Sequence, residues 1–459
     1  MKKLIYLLLV LLVLASCTDD KERVFINVPD NAFSFTPIMG GAVMRYESPG
    51  DPDIVGLFVR YKDVYGKDIL KSGSILADTM VLSGFNEAQQ NIPAKISFSL
   101  RNGSESQPVD VNFSTLDSGP ICFINSVNVD PSWDGFSVAY DNPAGTTGMA
   151  HVFYLGTNPQ TNEPDTVLVN SFILKEGSDK ITYKLKQLRS ENTIVIRTED
   201  YRGHIVKEKV WKGVESVSPV KFDPSGFDII YNNSLEMPQN NIGIQYLTDG
   251  DTKGTSWFQD QNLYHYYTFV SGLHGAGEDS EPMYIDLKTP KQAAEVRFYA
   301  YRDIGYSKGV FMPDWGHSSS SPLRSYFRNN YYNKMPCSVT IYGSKDNSNS
   351  REWDTKEWEE IGSFEQSPSS SLSSRWCAYC STAAGIGTAR SFRTLAAMTA
   401  ADPIYLPVTF TLVGQGDGYR YLKIKFNDVF DLSYEPTSST NRINKIVTFH
   451  ELEVYGAKK

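Results

Sequence analysis

Ile96-Ser97-Phe98-Ser99-Leu100, then Arg101-Asn102-Gly103-Ser104, then Val109-Asp110-Val111-Asn112-Phe113: apolar side chains stand at every second position on both sides of a polar turn. Successive side chains of a strand point to opposite faces, so this alternation gives each strand one face in a core and one in water. The Asn-Gly pair between them suits a chain reversal. The stretch therefore predicts half-buried antiparallel strands joined by a turn. Working outward, Gly56-Leu57-Phe58-Val59-Arg60-Tyr61 runs into Tyr65-Gly66-Lys67-Asp68, a further strand-and-turn unit. Residues 24–116 as a whole read as a first β-sandwich.

Ser118-Gly119-Pro120 breaks the alternation and reads as a linker. Strands resume at Phe136–Tyr140, Ala150–Leu155, Ile181–Leu185 and Asn192–Thr198, and the turn Asp200-Tyr201-Arg202-Gly203-His204 leads to a last strand near Trp211. Residues 120–215 resemble a fibronectin type III or immunoglobulin-like sandwich, with Trp133 as a core residue and no cysteine pair to tie its sheets. Ser216–Pro224, with two prolines, reads as the next linker. In residues 225–459, strands are predicted at Met283–Leu287, Glu295–Tyr299, Ser338–Tyr342, Tyr419–Phe426 and Leu452–Tyr455. Two long insertions interrupt them, 301–335 and 364–402, the second carrying an Ala-rich tract at 383–401 that suits a short helix.

Four pieces of this last region resemble the discoidin (coagulation-factor type C, galactose-binding-like) β-sandwich. They are Leu247-Thr248-Asp249-Gly250-Asp251 with Thr255-Ser256-Trp257; Pro282-Met283-Tyr284-Ile285-Asp286-Leu287; Pro336-Cys337-Ser338-Val339-Thr340-Ile341-Tyr342-Gly343 with Trp358-Glu359-Glu360-Ile361; and Arg420-Tyr421-Leu422-Lys423-Ile424 with His450-Glu451-Leu452-Glu453-Val454-Tyr455-Gly456. The expected fold class is thus all-β, three β-sandwiches in a row, the last a discoidin-like jelly roll with two long insertions. The resemblance implies that Trp257 and Trp358 belong to the core. It also implies a structural calcium at the Asp249-Gly250-Asp251 turn, with Thr255 beside it and Glu451 completing it. The turn read by itself equally suits an Asp-Gly reversal satisfied by its own backbone.

The N-terminal residues form an address. Lys2 and Lys3 precede an apolar run from Leu4 to Leu14, which is too short for a membrane span and reads as a secretory signal. Leu14-Ala15-Ser16-Cys17 resembles the bacterial lipobox, in which the cysteine is lipidated, so residues 1–17 are expected to be a signal peptide and Cys17 the lipid anchor. Thr18-Asp19-Asp20-Lys21-Glu22, within an acidic tether at 18–23, is similar to the export tag of outer-surface lipoproteins of Bacteroidetes. The whole layout resembles lipoproteins of their glycan-utilisation loci, which implies a glycan ligand, an outer-membrane importer as partner, and membrane attachment through lipid alone.

Composition narrows the function. The chain of 459 residues has 53 acidic and 44 basic residues and a net charge of −9, which argues against nucleic acid as a partner. Aromatic residues reach 13%, enough to furnish a binding surface as well as a core. Sugar rings need flat apolar faces and a few polar groups for their hydroxyls. The 301–335 insertion holds both, and Trp315, Tyr331, Tyr332, Arg324, Arg328 and His317 are the candidate glycan-binding residues, with Trp376 as a second wall. The competing reading of these rings is a small core that pins the insertion to the sandwich.

No catalytic pattern stands out. His450-Glu451-Leu452-Glu453-Val454 lacks a second histidine and reads as a strand, and Gly414-Gln415-Gly416-Asp417-Gly418 precedes a strand where phosphate loops precede helices. Cys377-Ala378-Tyr379-Cys380 has neither the βαβ context of a redox motif nor further metal ligands nearby, and reads as a local disulfide or free thiols. Non-catalytic capture of a polysaccharide or oligosaccharide at the cell surface is the expected function. A protein-binding scaffold or adhesin is the alternative, and an atypical glycan hydrolase a more distant one.

Overall fold

The computed structural model describes residues 23–302 apart from 159, 261, 263 and 264, and then 331–380, 394–412, 418–430 and 445–458. Cys17, Trp315, His317, Arg324 and Arg328 lie outside the described residues. The chain is all-β and forms two compact units, one of residues up to Asp130 with Gly135–Glu215, the other of Pro131–Asp134 with Ser216–Lys459. No helix among the described residues is long and apolar enough to cross a membrane.

In the first unit, β1 (Phe33–Ile38), β2 (Gly41–Tyr46), β3 (Ile54–Lys62), β4 (Asp68–Ser74), β5 (Thr79–Ser83), β6 (Ile92–Leu100) and β7 (Val109–Phe113) make two sheets, ordered β1-β2-β5 and β4-β3-β6-β7. The quoted stretch forms the β6–β7 pair, with Ile96 opposite Val109 and Ile92 opposite Phe113. Its turn is closed by the Ser104 carbonyl accepting from Leu100 N–H at 3.0 Å, and Gly103 takes the left-handed conformation (φ 83°) that a side chain would resist. Ile96, Phe98 and Phe113 enter one core with Met44, Leu57 and Val59.

α1 (Gly119–Ser126) follows where the sequence reads as a linker. Its proline falls in the first turn, where the missing N–H has no intrahelical acceptor to leave empty. Phe123 and Ile124 of this helix plug the core of the second sandwich. That sandwich comprises β8 (Asn128–Trp133), β9 (Gly135–Asn142), β10 (Met149–Thr157), β11 (Pro164–Ile173), β12 (Gly177–Lys184), β13 (Glu191–Glu199) and β14 (Ile205–Val217), in the order β11-β10-β13-β14-β8-β9-β12. β14 pairs antiparallel with β13, and its last residues run parallel to Ser132 and Trp133 of β8. The expected Ser216–Pro224 linker is therefore partly strand.

The second unit is built from β15 (Val220–Lys221), β16 (Asp228–Ile230), α2 (Thr255–Gln259), β17 (Phe269–Val270), β18 (Met283–Lys291), β19 (Ala293–Ala300), β20 (Pro336–Ser344), β21 (Glu359–Glu365), α3 (Leu395–Ala400), β22 (Ile404–Thr409), β23 (Tyr419–Val429), β24 (Thr448–Phe449) and β25 (Glu451–Gly456). A five-stranded sheet, β16-β18-β23-β20-β21, and a four-stranded sheet, β15-β25-β19-β22, enclose Ile285, Val296, Phe298, Ile341, Ile424, Leu452 and Val454. A second cluster holds Trp257, Tyr301, Tyr331, Met335, Cys337, Cys377, Cys380, Met398 and Phe430. It explains how the aromatic insertions are anchored: their described ends supply the apolar side chains that cover the sandwich.

Candidate functional site

The Asp249-Gly250-Asp251 turn does bring the four expected metal-site residues together, though with different tasks. Gly250 has φ 85°, which lets the turn fold tightly. Asp251 serves α2: one carboxylate oxygen accepts from the Thr255 N–H and hydroxyl, both at 2.7 Å, and the other from the Ser256 N–H at 2.7 Å. A carboxylate at a helix start satisfies N–H groups that have no intrahelical acceptor. Asp249 closes the turn, accepting from the Asp251 N–H at 2.9 Å, and Glu451, fully buried, accepts from the Gly250 N–H at 3.1 Å.

This arrangement tests the expected calcium site against the residues present. Asp251 and Thr255 are engaged with each other and with the helix, so they would offer a cation only the lone pairs those bonds leave. Asp249 and Glu451 fit better. Burial, and then the charge of Asp249, push the Glu451 carboxyl up to about 9, and burial raises Asp249 as well. Asp249 as a residue is exposed and Glu451 is fully buried, so it is Glu451 that favours keeping a proton or meeting a cation beside the Asp249 charge. Among the described residues no group of three or more His, Cys, Asp or Glu is arranged to hold a metal ion.

The expected glycan-binding residues fare unevenly. Tyr331 is fully buried, its ring 4.9 Å from that of Tyr301 in the second cluster, and it presents no face to a ligand. Its assignment to a platform is corrected: the apolar cluster under the insertion claims it. Tyr332 is half-buried against the same cluster. Trp376 is half-buried between both clusters, and its indole N–H donates to the Pro336 carbonyl at 2.8 Å, so it acts as a wedge holding the second insertion rather than a free wall. Cys377 and Cys380 are buried and not joined in a disulfide, Cys380 closing the 3-10 turn Ala378–Cys380.

A different group of residues has the character the sequence reading sought. After α2 the chain makes an irregular loop in which Asp260 gathers three donors. The Tyr267 hydroxyl donates to it at 2.5 Å and the Asn262 N–H at 2.7 Å, and His265 Nδ1 lies 2.7 Å away. Asn262 Nδ2 in turn lies 3.0 Å from His265 Nε2. One assignment satisfies every contact: the imidazole proton sits on Nδ1, facing Asp260, and the amide donates to Nε2. Hydrogen bonds from Tyr267, Asn262 and His265 hold Asp260 well below the usual carboxylate range. Its hydrogen bond to Asp260 pushes the Tyr267 phenol up to about 12.

Two observations mark this loop as more than a connection. Tyr267 adopts φ 52°, a left-handed conformation that an aromatic residue takes at a cost of roughly 1–2 kcal/mol. Its ring meets that of Tyr246 edge to face, with centroids 5.8 Å apart and planes at 82°; both residues are half-buried, and Tyr267 also packs against the second cluster. The result is an aromatic corner with a carboxylate, an amide and an imidazole fixed beside it. Such a corner can stack an apolar face and both donate to and accept from hydroxyls. Sequence reading passed over it because Asp260-x-Asn262-x-x-His265-x-Tyr267 has neither strand nor helix period. The signal available was the density of polar and aromatic residues directly after the Thr255-Ser256-Trp257 motif.

Fold and site together define a multi-sandwich β protein with a corner of aromatic and polar side chains on its second unit. Residues 29–115 match the family described as "Domain of unknown function (DUF4959)". No curated protein matches the chain. Among solved structures, the chain is similar to a SusE-like protein at 14% identity, covering 73% of this chain and 98% of that one with a TM-score of 0.37. It is also similar to a family 32 carbohydrate-binding module of Clostridium perfringens NanJ in complex with galactose (9% identity, 52% and 98% coverage, TM-score 0.24). A two-domain fibronectin type III segment of chicken tenascin gives 13% identity, 39% and 95% coverage, and a TM-score of 0.18.

Proposed function

We propose that this protein is a non-catalytic glycan-capture lipoprotein, attached by acyl chains on Cys17 to the outer membrane and displayed at the cell surface, where it holds polysaccharide or oligosaccharide for an importer complex. The observation that carries the reading is the Tyr246–Tyr267 corner with Asp260, Asn262 and His265 locked beside it. Its hydrogen bonds fix the polar groups before a ligand arrives, which reduces the ordering a sugar must impose on binding. Capture without chemistry also suits Asp260, which stays ionised and accepts hydrogen bonds rather than delivering a proton. A cation between Asp249 and Glu451 would be structural, bracing the turn that precedes α2.

The test is a glycan array with residues 18–459, wild type beside Tyr267→Ala and Asp260→Asn. Each substitution is expected to weaken retention about tenfold or more, equivalent to about 1.4 kcal/mol, with the thermal midpoint of unfolding used to confirm the fold. Binding that ignores both substitutions would move the site elsewhere on the chain. A wild type that binds no glycan would sink the reading and favour a protein-binding scaffold.

A further inference from the structure

The loop between β20 and β21, residues 345–358, lies back over the outer face of the five-stranded sheet and is pinned there at several points. Arg420 donates to the Asn347 carbonyl at 2.6 Å and to Asn349 Oδ1 at 2.5 Å, and its Nε contacts Asp286 at 3.2 Å. Trp353 stacks on Tyr284 with centroids 4.1 Å apart and planes within 7°. Lys356, its side chain fully buried, pairs with Asp346 at 2.5 Å and lies over the Tyr421 ring. A surface loop does not need a buried cation and a stacked tryptophan merely to connect two strands.

What the loop encloses is a cleft of about 520 Å³ between Gly343–Asp346 and Thr355–Glu359. Trp358, assigned to the core from its motif position, is half-buried beside Tyr284 and Lys423 and forms a wall of this cleft. Its indole N–H is engaged with the Trp353 carbonyl at 3.0 Å, which fixes the ring plane. Thr355 and Glu357 are exposed on the rim, and Lys345 lies 3.9 Å from Glu359. Three carboxylates, Asp346, Glu357 and Glu359, are met by Lys345 and Lys356 of the lining and by Lys423, whose ammonium lies 4.8 Å from the Trp358 ring centroid, so the cleft carries no net charge. That balance favours neither an anionic nor a cationic ligand. A neutral ligand with one apolar face and a hydroxylated edge is suited to it, and the volume lies within the usual range for small-ligand sites.

We infer that this cleft is a second glycan site, taking one or two units of a neutral saccharide against Trp358, on a different part of the unit from the Tyr246–Tyr267 corner. The inference rests on the glycan-capture reading and extends it: two sites of modest affinity on one unit retain a polymer more tightly than either does alone.

Hydrogen-exchange mass spectrometry on residues 18–459 tests it, with lactose, cellobiose, maltose, xylobiose and mannobiose as probes. At least one sugar is expected to slow exchange in segments 343–346 and 355–359. Thr355→Trp, which fills the cleft from an exposed position and keeps Trp358, should abolish that protection, whereas Tyr267→Ala should leave it in place. Protection confined to 241–268 would overturn the second site and leave the proposed function standing. Protection nowhere, together with an array that binds no glycan, would overturn both.

Discussion

Replacing Arg202 with alanine is expected to destabilise the first unit by about 3 kcal/mol, the lower end for breaking a buried ion pair. Arg202 Nη1 lies 2.8 Å from Asp63 Oδ2, and the Asp63 side chain is only 1% exposed. Burial pushes the Asp63 carboxyl up, but hydrogen bonds from Arg202 and from the Lys67 and Tyr65 N–H groups outweigh it and hold the group below its ordinary value. Because the folded-state value is depressed, this contribution is complete above about pH 4 and is lost as the pH falls through the folded value. Without the guanidinium, a buried charge keeps two backbone donors and loses its counter-ion. Urea denaturation should read the loss, and Asp63→Asn in the Arg202→Ala background should restore much of it, since the second change removes the stranded charge. A single mutant within about 0.5 kcal/mol of wild type would mean that water replaces the arginine, and that the ion pair contributes little.

The consequence reaches beyond stability, because Arg202 belongs to the second sandwich and Asp63 to the first. Around them Tyr65 meets His204 with ring centroids 4.7 Å apart, the Tyr201 hydroxyl contacts Ser83 Oγ at 3.2 Å, and Lys207 faces Glu87 at 3.5 Å. Gly84 leaves the space for this junction: a Cβ there would stand 3.1 Å from Asp63 Cβ at a φ of 120°. Residues up to Asp130 and Gly135–Glu215 therefore form one compact unit, whereas the sequence suggested two domains joined by a linker at Ser118-Gly119-Pro120. Arg202→Ala should therefore loosen this junction as well as weaken it.

What the sequence disclosed follows the physics of each element. Strands that alternate cleanly, such as Ile96–Leu100 and Val109–Phe113, were legible because a two-residue period needs no knowledge of partners. β22 escaped notice: Ile404, Leu406 and Val408 do alternate inward, but Pro407 interrupts the pattern and an Ala-rich tract precedes it. Its place at the edge of its sheet is where a strand tolerates proline. The site was less legible. Tyr331 and Tyr332 belong to an aromatic-rich sequence and Trp376 to a Ser- and Ala-rich one, and composition cannot tell a ring that covers a core from one that meets a ligand. Tyr246 and Tyr267 stand 21 positions apart and meet only because a strained turn brings them together. Trp358 shows the same limit, since a motif position fixes where a residue lies in the fold and leaves open how far a neighbouring loop covers it.

With calcium removed by a chelator, the second unit is expected to lose stability as the pH rises from 6 to 8.5, and Glu451→Gln is expected to remove that dependence. Glu451 is fully buried beside Asp249, and its folded-state value of about 9 lies above the ordinary glutamate value of 4.5. The folded chain therefore keeps a proton that the unfolded chain releases. Such a group contributes its stability in full below the unfolded value, and the contribution fades as the pH climbs towards the folded one. The slope is at most about 1.4 kcal/mol for each pH unit, so the thermal midpoint should fall by roughly 5–10 °C over this interval. If a cation takes the place of the proton, calcium at a hundred times its dissociation constant would add about 2.7 kcal/mol at pH 8.5 and flatten the profile. Glutamine keeps an oxygen for the Gly250 N–H and needs neither proton nor cation, so the variant should be insensitive to both. A steep profile that calcium leaves unchanged would assign the pair to a shared proton and end the case for a bound metal. A flat profile in the chelated wild type would show that Glu451 is not held protonated as the geometry requires, because a carboxyl buried beside a second carboxylate cannot ionise without loss of stability.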